Sequence, residues 1–458
     1  MTQPIITWFN LNKSSEQFNK YSIKKETTYV ITPDLFYIDD FKNNVIVFAP
    51  LLFRVYYIPK QFVSNTNPLS FHNNNIDELI KANILIPKEV TPTLYPSKPD
   101  CSKFNPNIRL LLTTACNLNC VYCYAEANRS TNTNVIIEKL NIFLDSVPTD
   151  INSLNIEFHG GEPTVAFIQM RKAHELISQK FPNSTFMIQT NGVFSEEILD
   201  WLTNNKVTIN FSIDGTEDIH NAQRPAINKR TNSFKELHTN INKAQQKETG
   251  TACIVTITAY NLNKMKDIYY FLKENKFKYI KFNPLLKEGK ALNSDEDTTT
   301  PPELDVFAKK LAEISLSAFQ DKIIIDSDML PNVHTRQPSF ARCGAVCNQT
   351  TICPDGEIIA CSDAVYLTPD NKDNPFYFAT ITDSNIEYNK QHEIQLRNST
   401  ADNYPLCENC FLRWHCAGGC KIENYLENKD IMVPNIKSCI AKQTFIKEYF
   451  RNIGEKIL

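Results

Sequence analysis

Residues 113–124 read Thr-Thr-Ala-Cys-Asn-Leu-Asn-Cys-Val-Tyr-Cys-Tyr, and the cysteines of this stretch, Cys116, Cys120 and Cys123, decide how the rest of the chain is interpreted. Three thiolates within eight residues can hold three positions of a metal cluster. They leave a fourth position open, which distinguishes a catalytic metal site from a closed structural one. Because a C-x2-C pair is also typical of half a zinc site or of a redox dithiol, structural zinc is the alternative interpretation.

The cysteine stretch stands in a region in which short apolar runs alternate with helical patterns. This alternation favours an α/β fold with a parallel sheet and helices outside it. Six strand–helix units are too few to close an eight-stranded barrel, so we predict an open, partial (β/α)6 TIM-like barrel with its ligand site at the carboxyl ends of the strands. The predicted strands are residues 109–113, 154–158, 185–189, 207–213, 252–258 and 279–283, and the predicted helices are 134–144, 165–180, 195–204, 234–246 and 265–275.

The cysteines directly follow the first predicted strand, which is where this rule places a ligand site. Their C-x3-C-x2-C spacing, with Tyr122 just before the last cysteine, resembles the signature of the radical S-adenosylmethionine (SAM) enzymes. The resemblance implies that the three cysteines hold a [4Fe–4S] cluster and that SAM binds its free iron. It also implies that one electron from the cluster cleaves SAM to a 5′-deoxyadenosyl radical.

A glycine motif, His-Gly-Gly-Glu-Pro-Thr at residues 159–164, ends the second predicted strand. Two glycines allow the backbone to approach a ligand closely, and a carboxylate beside them can meet a cationic amine. In radical SAM enzymes this motif binds the amino group of SAM, so the resemblance implies this role for Gly160, Gly161 and Glu162. A glycine turn that only caps the next helix is the structural alternative.

Polar side chains also follow the third and fourth predicted strands, where Asn191 and Asp214 suit ribose hydroxyls and a carboxylate. Farther along, Arg224 offers a guanidinium for the SAM carboxylate. In radical SAM proteins with cysteine-rich tails, a Ser-x-Asp-Gly serine, a downstream arginine and a leucine after the sixth strand contact SAM, and Ser212, Arg224 and Leu285 occupy the matching positions. The full set of predicted cofactor-binding residues is Tyr122, Gly160, Gly161, Glu162, Asn191, Ser212, Asp214, Arg224 and Leu285.

The tail of the chain is rich in cysteine. Closely spaced cysteines together with distant single ones supply enough thiolates for two further clusters. The spacing resembles the SPASM domain, which holds auxiliary clusters in one branch of radical SAM enzymes, and a zinc ribbon is the alternative for part of it. The resemblance implies that Cys343, Cys361, Cys420 and a fourth ligand hold one auxiliary [4Fe–4S] cluster, and that Cys407, Cys410, Cys416 and Cys439 hold the other.

The fourth ligand of the first auxiliary cluster is open between two cysteines. We favour Cys347 over Cys353, because Cys347 lies in the same loop as Cys343 whereas Cys353 ends a predicted strand. Cys101 and Cys253 fit no cluster, and we predict that both are buried, inert thiols.

About one hundred residues precede the predicted barrel and end in a proline-containing linker, residues 87–96. Predicted strands around residues 28–31 and 44–48, followed by a helix, indicate a small winged-helix-like module, with a purely structural cap as the alternative. The predicted domains are the winged-helix-like peptide recognition module (1–100), the radical SAM partial barrel (101–325) and the SPASM auxiliary-cluster domain (326–458).

Composition excludes several classes of protein. The chain has 458 residues, of which 42% are hydrophobic and 22% charged, as in ordinary soluble proteins. A net charge of -3 gives no reason to expect nucleic acid or an anionic membrane as a partner. We find no secretory signal and no apolar run of about eighteen residues that could span a membrane. Because the cytoplasm keeps thiols reduced, the fourteen cysteines favour metal ligation in that compartment.

The SPASM branch acts mostly on peptides and proteins. We predict a maturase that modifies a ribosomally synthesised precursor peptide by forming a side-chain crosslink, because the N-terminal module resembles elements that bind a leader peptide by strand addition. A flavodoxin- or ferredoxin-like protein would donate the electron. An anaerobic sulfatase-maturating enzyme that makes formylglycine, and a non-catalytic Fe–S scaffold or electron carrier, stay open. Sulfatase maturases place an aspartate base directly after the second tail cysteine, whereas here Ser362 follows Cys361 and Asp363, our candidate base, comes next.

Overall fold

A computed structural model of the chain describes residues 7–10, 28–64, 69–71, 76–125, 133–328, 338–347, 349–368 and 373–458. No helix within these ranges is both long enough and apolar enough to cross a membrane. The strands are β1 (Thr7–Asn10), β2 (Tyr29–Ile31), β3 (Phe36–Phe41), β4 (Asn44–Ala49), β5 (Arg54–Pro59), β6 (Leu85–Pro87), β7 (Asn107–Leu111), β8 (Asn155–His159), β9 (Thr185–Thr190), β10 (Thr208–Ser212), β11 (Thr251–Ile257), β12 (Tyr279–Pro284), β13 (Ile324–Asp326), β14 (Thr350–Ile352), β15 (Glu357–Ile359), β16 (Tyr377–Ile381) and β17 (Ile386–Tyr388).

The α-helices lie mainly between the strands of the central region and in the tail. They are α1 (Ile76–Lys81), α2 (Thr91–Leu94), α3 (Thr133–Asp145), α4 (Phe167–Lys180), α5 (Glu196–Asn204), α6 (Glu217–Gln223), α7 (Ser233–Gln246), α8 (Met265–Glu274), α9 (Leu304–Asp321), α10 (Lys390–Arg397), α11 (Arg413–Cys416), α12 (Lys421–Asn428) and α13 (Ile436–Ile457).

Strands β7 to β12 are parallel and lie side by side in chain order. They are the six predicted strands, and each lies within two residues of its predicted position. Each strand pairs with the next strand in the chain, and each new strand is added on the same side of the sheet. Right-handed crossovers therefore place the connecting helices on one face of the sheet. This singly wound order is the one a TIM-like barrel uses, and the α/β class is confirmed.

The sheet extends beyond the six predicted strands at both edges and has eleven strands among the described residues. At one edge β13 pairs in parallel with β12, and at the other β14 pairs in parallel with β7. Strands β15 to β17 continue antiparallel from β14. Strands β14 to β17 come from the cysteine-rich tail, so the tail and the central region share one sheet.

Side chains along β7 and β8 alternate between the two faces of the sheet, and this alternation determines which of them face the candidate site described below. Ile108 and Leu110 are buried, as are Ile156 and Phe158 on the neighbouring strand. Successive side chains point to opposite faces of a strand. The residues between them therefore lie on the other face, where the tail covers the sheet, and this face carries the polar groups described below.

The N-terminal segment is a four-stranded antiparallel sheet in the order β1-β5-β4-β3, with β2 and β6 paired beside it. Strands β4 and β5 are almost completely buried, which fits their apolar sequences. The described part of this segment contains only the short helices α1 and α2. The winged-helix arrangement that we predicted is therefore not confirmed, although the predicted strands and the helix after them are present.

The N-terminal sheet packs on the tail. Trp414 Nε1 donates to Asp34 Oδ2 at 2.6 Å, and His415 Nε2 lies 3.1 Å from the carbonyl oxygen of Pro50. The hydroxyl of Tyr57 donates to the carbonyl oxygen of Phe450 on α13 at 2.6 Å. The tail therefore contacts both the N-terminal sheet and the parallel sheet.

Gly454 on α13 lies at a close approach between this helix and the N-terminal sheet. A Cβ atom at this position would lie 2.8 Å from Tyr57 Cε1 and 2.9 Å from Phe41 Cε1. Both rings are buried, so Gly454→Ala should overpack the contact and lower the free energy of unfolding by about 1–3 kcal/mol, measured by denaturant titration. Gly250→Ala is the matched control, because its Cβ would meet Thr208 at ordinary distances of 3.6 Å or more. Equal stability of the two variants would contradict this packing.

Candidate active site

The loop that carries Cys116, Cys120 and Cys123 follows β7, as predicted, and all three cysteines are partly buried. Backbone hydrogen bonds hold it against the segment after α6 and the loop after β12. The bonds are Asn119 N–H to Pro225 O (2.8 Å), Val121 N–H to Gln223 O (3.0 Å) and Lys290 N–H to Cys123 O (3.1 Å). The three sulfurs are therefore held at the carboxyl ends of the parallel strands.

The environment of the thiols disfavours their charged form. Burial first, and then the charge of Glu162, raises the pKa of Cys116 to about 11. Burial raises the pKa of Cys120 to about 12, and the guanidinium of Arg224 offsets this only in part. A thiolate is the form that binds metal, so a bound cationic cluster would supply the charge compensation that the site lacks. This donor set fits three corners of an Fe–S cluster.

Gly160 and Gly161 bring the end of β8 against the cysteine loop. The Gly161 N–H donates to Thr113 O at 2.8 Å, and the next N–H, of Glu162, donates to Ala115 O at 2.9 Å. A Cβ atom at Gly161 would lie 2.3 Å from the Ala115 carbonyl oxygen. The motif is therefore required for backbone contact directly before Cys116, whatever ligand it also binds.

Glu162 joins the ends of β8 and β9. Its carboxylate accepts hydrogen bonds from Thr164 N (3.1 Å), Thr164 Oγ1 (2.7 Å), Thr190 Oγ1 (2.8 Å) and Asn191 N (2.7 Å). Burial nevertheless raises the pKa of Glu162. The side chain has a structural role that we did not predict, and its predicted contact with SAM stays a prediction.

Asn191 continues this network to the cysteine loop. Its side-chain amide donates to Asn117 Oδ1 at 2.8 Å and lies 3.7 Å from Cys116 Sγ. Ser212 is the last residue of β10 and is buried. Both residues lie at strand ends, as predicted.

Asp214 is the centre of a buried polar cluster at the end of β10. It is fully buried and accepts two hydrogen bonds from Arg224, from Nε at 2.9 Å and from Nη2 at 3.2 Å. Tyr122 donates its hydroxyl to Asp214 at 2.5 Å, and Gln223 Nε2 donates at 3.1 Å. Arg224 also lies over the Tyr122 ring, 5.5 Å from its centroid. Three predicted cofactor-binding residues thus bind one another.

Leu285 forms an apolar wall beside this cluster. It is buried and packs with Tyr122 and Ala291, against the partly buried Cys120 and Val121. Because it contacts the cysteine loop directly, Leu285 excludes water from one side of the loop.

Three tail cysteines form a first group, in which the charge of one raises the pKa of another: Cys343, Cys361 and Cys420. Burial raises the pKa of Cys361 well above its usual value, and the charges of Asp363, Cys420 and Cys343 raise it further. Burial also raises the pKa of Cys420, with a smaller contribution from Cys343. These are the three cysteines that we assigned to the first auxiliary cluster.

Cys407, Cys410, Cys416 and Cys439 form a second group. Burial raises the pKa of Cys407 to about 12 and that of Cys439 to about 11, and the other cysteines of the group add to both. Within the described residues, no three His, Cys, Asp or Glu side chains are placed to hold one metal ion. The division of the tail cysteines into two sets of cluster ligands stays a prediction.

The structure differs from our expectations for two of the remaining cysteines, Cys101 and Cys347. Cys101 is joined to Cys347 by a disulfide, so our prediction that Cys101 is a buried, inert thiol is wrong. The same bond means that Cys347, as the structure shows it, has no free thiolate to give to iron. Cys353 is buried, and the charges that act on it are those of Asp355 and Glu357. Cys253 is fully buried, as predicted.

Sequence reasoning missed a polar group that links the parallel sheet to the tail. Arg109 on β7 donates from Nε to Glu157 Oε2 on β8 at 2.6 Å and from Nη1 to Ser362 Oγ at 2.6 Å. Ser362 in turn donates to Asp363 Oδ1 at 3.1 Å. The residues that follow Cys361 are therefore fixed against the face of the sheet, and the candidate base Asp363 lies there.

Further groups surround Asp363. Burial first, and then the charge of Asp363, raises the pKa of Glu288 to about 8. Burial also raises the pKa of Tyr124, with Asp363 the next contributor. His159 at the end of β8 is buried, with no hydrogen-bond partner recorded for its Nδ1 among the described residues. A signal for part of this site was present in the sequence, because Arg109 and Glu157 are charged residues inside otherwise apolar strands that pair in register.

Comparisons with known proteins agree with this geometry. Residues 110–272 match the family model described as the Radical SAM superfamily. A cysteine-type anaerobic sulfatase-maturating enzyme of Clostridium novyi is 25% identical over 365 residues, which span 74% of this chain and 93% of the relative.

Two solved structures share the fold. The structure of native anSMEcpe with bound AdoMet and Cp18Cys peptide has a TM-score of 0.61 and 21% identity, and the match covers 77% of this chain and 100% of that one. Streptococcus suis SuiB bound to the precursor peptide SuiA has a TM-score of 0.51 and 14% identity, covering 82% and 83%.

The close contact at Gly161 gives a testable consequence. Gly161→Ala should displace the backbone before Cys116 and lower the iron content by about four atoms per chain, the content of one [4Fe–4S] cluster. Iron and inorganic sulfide are measured after anaerobic reconstitution. Gly250→Ala is again the control and should keep the full iron content. A Gly161→Ala protein with unchanged iron would show that the cysteine loop does not depend on this contact.

Proposed function

Since the chain carries a radical SAM domain, we propose that it is an enzyme that oxidises a cysteine side chain of a sulfatase-type protein to formylglycine. The observation that carries this proposal is the similarity to a cysteine-type anaerobic sulfatase-maturating enzyme, which extends over 93% of that relative. The structure supports it with the cysteine loop after β7 and with the tail residue Ser362, next to Cys361, which binds Arg109 on the polar face of the same sheet.

Radical SAM proteins use SAM and a [4Fe–4S] cluster, and the residues proposed to hold them here are Cys116, Cys120 and Cys123 with the cofactor-binding set predicted from the sequence. When bound, these groups supply the one-electron cleavage of SAM and the carbon radical that takes a hydrogen atom from the substrate. A flavodoxin- or ferredoxin-like protein is the proposed electron donor, and the tail cysteines are the proposed ligands of two auxiliary [4Fe–4S] clusters.

The residues around the cysteine loop position the reacting groups and exclude water. Asp214 fixes Tyr122 and Arg224 through buried hydrogen bonds, so these side chains lose little freedom when a ligand binds. Leu285 and the buried ends of the strands keep solvent from the loop, which protects a reactive intermediate from side reactions.

Asp363 is the proposed acceptor of the proton that leaves the substrate side chain. In sulfatase maturases the aspartate directly follows the second tail cysteine, whereas here Ser362 has that place and is engaged by Arg109. Asp363 is the next residue, and its charge reaches Tyr124, His159 and Glu288. An offset of one residue therefore still leaves a carboxylate on the polar face of the sheet.

A second candidate function is modification of a ribosomally synthesised precursor peptide by a side-chain crosslink. The match to anSMEcpe leaves nearly a quarter of this chain uncovered, and SuiB, which binds the precursor peptide SuiA, shares the fold. Strand β3 is a terminal strand of the N-terminal sheet, where a leader peptide could add as a further strand.

The first test separates an enzyme from a non-catalytic Fe–S scaffold or electron carrier. Reconstituted protein with SAM and dithionite should release 5′-deoxyadenosine, and Cys116→Ala should abolish this product because the cluster loses a ligand. Cys253→Ala, which removes a buried thiol outside the cysteine groups, is the control and should retain the product. No 5′-deoxyadenosine from the wild-type protein would refute the proposal.

The second test addresses the substrate and the base. A peptide copied from around the reactive cysteine of a cysteine-type sulfatase should gain an aldehyde, detected by mass spectrometry. Asp363→Asn should slow this conversion by about 100-fold or more, the usual range for loss of a general base, while 5′-deoxyadenosine is still formed. Asp383→Asn is the control, because that carboxylate is fully exposed and pairs with Lys139 at the surface. If the wild type leaves this peptide unchanged but modifies a leader-bearing precursor peptide, the second candidate replaces the first.

A further inference from the structure

The disulfide between Cys101 and Cys347 fixes the linker before β7 to the tail, with Cα atoms 4.7 Å apart. The same contact includes a hydrogen bond from Asn105 Nδ2 to the carbonyl oxygen of Cys347 at 3.2 Å. Lys98, on the other side of Cys101, forms a 2.5 Å ion pair with Asp402. Besides the covalent bond, the linker on either side of Cys101 therefore contacts the tail.

Cys347 is also placed next to the first group of tail cysteines. It ends the short helical turn Gly344–Cys347, which begins directly after Cys343. Cys343, Cys361 and Cys420 are the cysteines assigned from the sequence to the first auxiliary cluster, and all three are free thiols.

A [4Fe–4S] cluster usually takes four cysteine ligands, and the group of Cys343, Cys361 and Cys420 offers three. Cys353, the other candidate, is 2% exposed in the core, and the charges that act on it belong to Asp355 and Glu357. The available fourth sulfur is thus the one that the structure shows bonded to Cys101.

We propose that the Cys101–Cys347 pair is a thiol–disulfide gate on the fourth ligand of the first auxiliary cluster, an inference that rests on the proposed function. In the reduced protein Cys347 binds iron as a thiolate, and Cys101 stays a free thiol beside it. In the oxidised protein the two sulfurs are joined, and the cluster has three cysteine ligands.

The interconversion is an ordinary thiol–disulfide exchange. A dithiol reductant, a small molecule or a protein of the thioredoxin class, attacks the disulfide, forms its own disulfide and leaves two protein thiols. Two electrons and two protons pass from the dithiol to the pair. Cys347 then releases its proton to solvent as its thiolate binds iron. In the opposite direction, a thiol oxidant such as diamide takes two electrons from the pair as the S–S bond forms and the bond from Cys347 to iron breaks. One of the two protons that diamide takes up comes from the Cys101 thiol and the other from solvent.

The test uses anaerobically purified holoenzyme treated with diamide and then with dithiothreitol. In the wild type we expect a disulfide-linked peptide of Cys101 and Cys347 to appear in non-reducing peptide maps. We expect iron to fall by about one to about four atoms per chain as the cluster loses its fourth ligand. Dithiothreitol with added iron and sulfide should remove the linked peptide and restore the iron.

The variants separate the gate from its alternatives. Cys101→Ala and Cys101→Ser should keep their iron through the diamide treatment, because Cys347 has no partner. Cys347→Ala should be short of iron from the start, and Cys253→Ala is the control that should behave as the wild type. Iron loss from the Cys101 variants equal to that of the wild type, or a shortage in them before oxidation, would overturn the proposal, as would absence of the linked peptide.

The release of 5′-deoxyadenosine is measured in the same samples. It depends on Cys116, Cys120 and Cys123, so a wild-type protein that forms this product but shows no gate leaves the proposed function standing. A wild-type protein that forms none refutes the proposed function, whatever the state of the Cys101–Cys347 pair.

Discussion

The backbone contact between Gly160–Gly161 and Thr113–Ala115 is the constraint on which the site depends. Parallel pairing of β7 and β8 brings the ends of the two strands side by side, and only residues without a Cβ allow the hydrogen bonds at 2.8 and 2.9 Å to form. The cysteine loop leaves from this point, and the Glu162 carboxylate beside it ties in the next strand. A glycine motif that the sequence suggested for ligand binding is thus first a requirement of the fold.

The parts that sequence predicted well are those with a strong local pattern. The six parallel strands are short apolar runs between helical patterns, and the predicted strand that ends at Cys353 corresponds to β14. Strands β13 and β15 have three residues each and exist because a neighbouring strand pairs with them, so no periodicity could reveal them. The Cys101–Cys347 contact joins residues 246 positions apart and depends on the docking of the linker, which a single sequence does not contain.

The same limit applies to the polar face of the sheet. Arg109 and Glu157 stand out in the sequence as charged residues inside apolar strands, but their partner Ser362 does not. The contact with Ser362 depends on β14 pairing beside β7, which brings the tail residues after Cys361 to the sheet. A buried ion pair gains from such extra hydrogen bonds, because they compensate for the loss of water around the charges. The tail is therefore part of the wall of the central site and also the support of the N-terminal sheet.

The support of the N-terminal sheet has a consequence for communication across the molecule. Trp414 and His415, which bind Asp34 and Pro50, belong to α11, the same short helix that ends in Cys416. Burial lowers the pKa of His415 to about 4, so this side chain stays uncharged near neutral pH. A partner that shifts the N-terminal sheet would therefore also displace the helix that carries Cys416. Binding at one end of the protein would then change the electronic surroundings of the Cys416 sulfur at the other end.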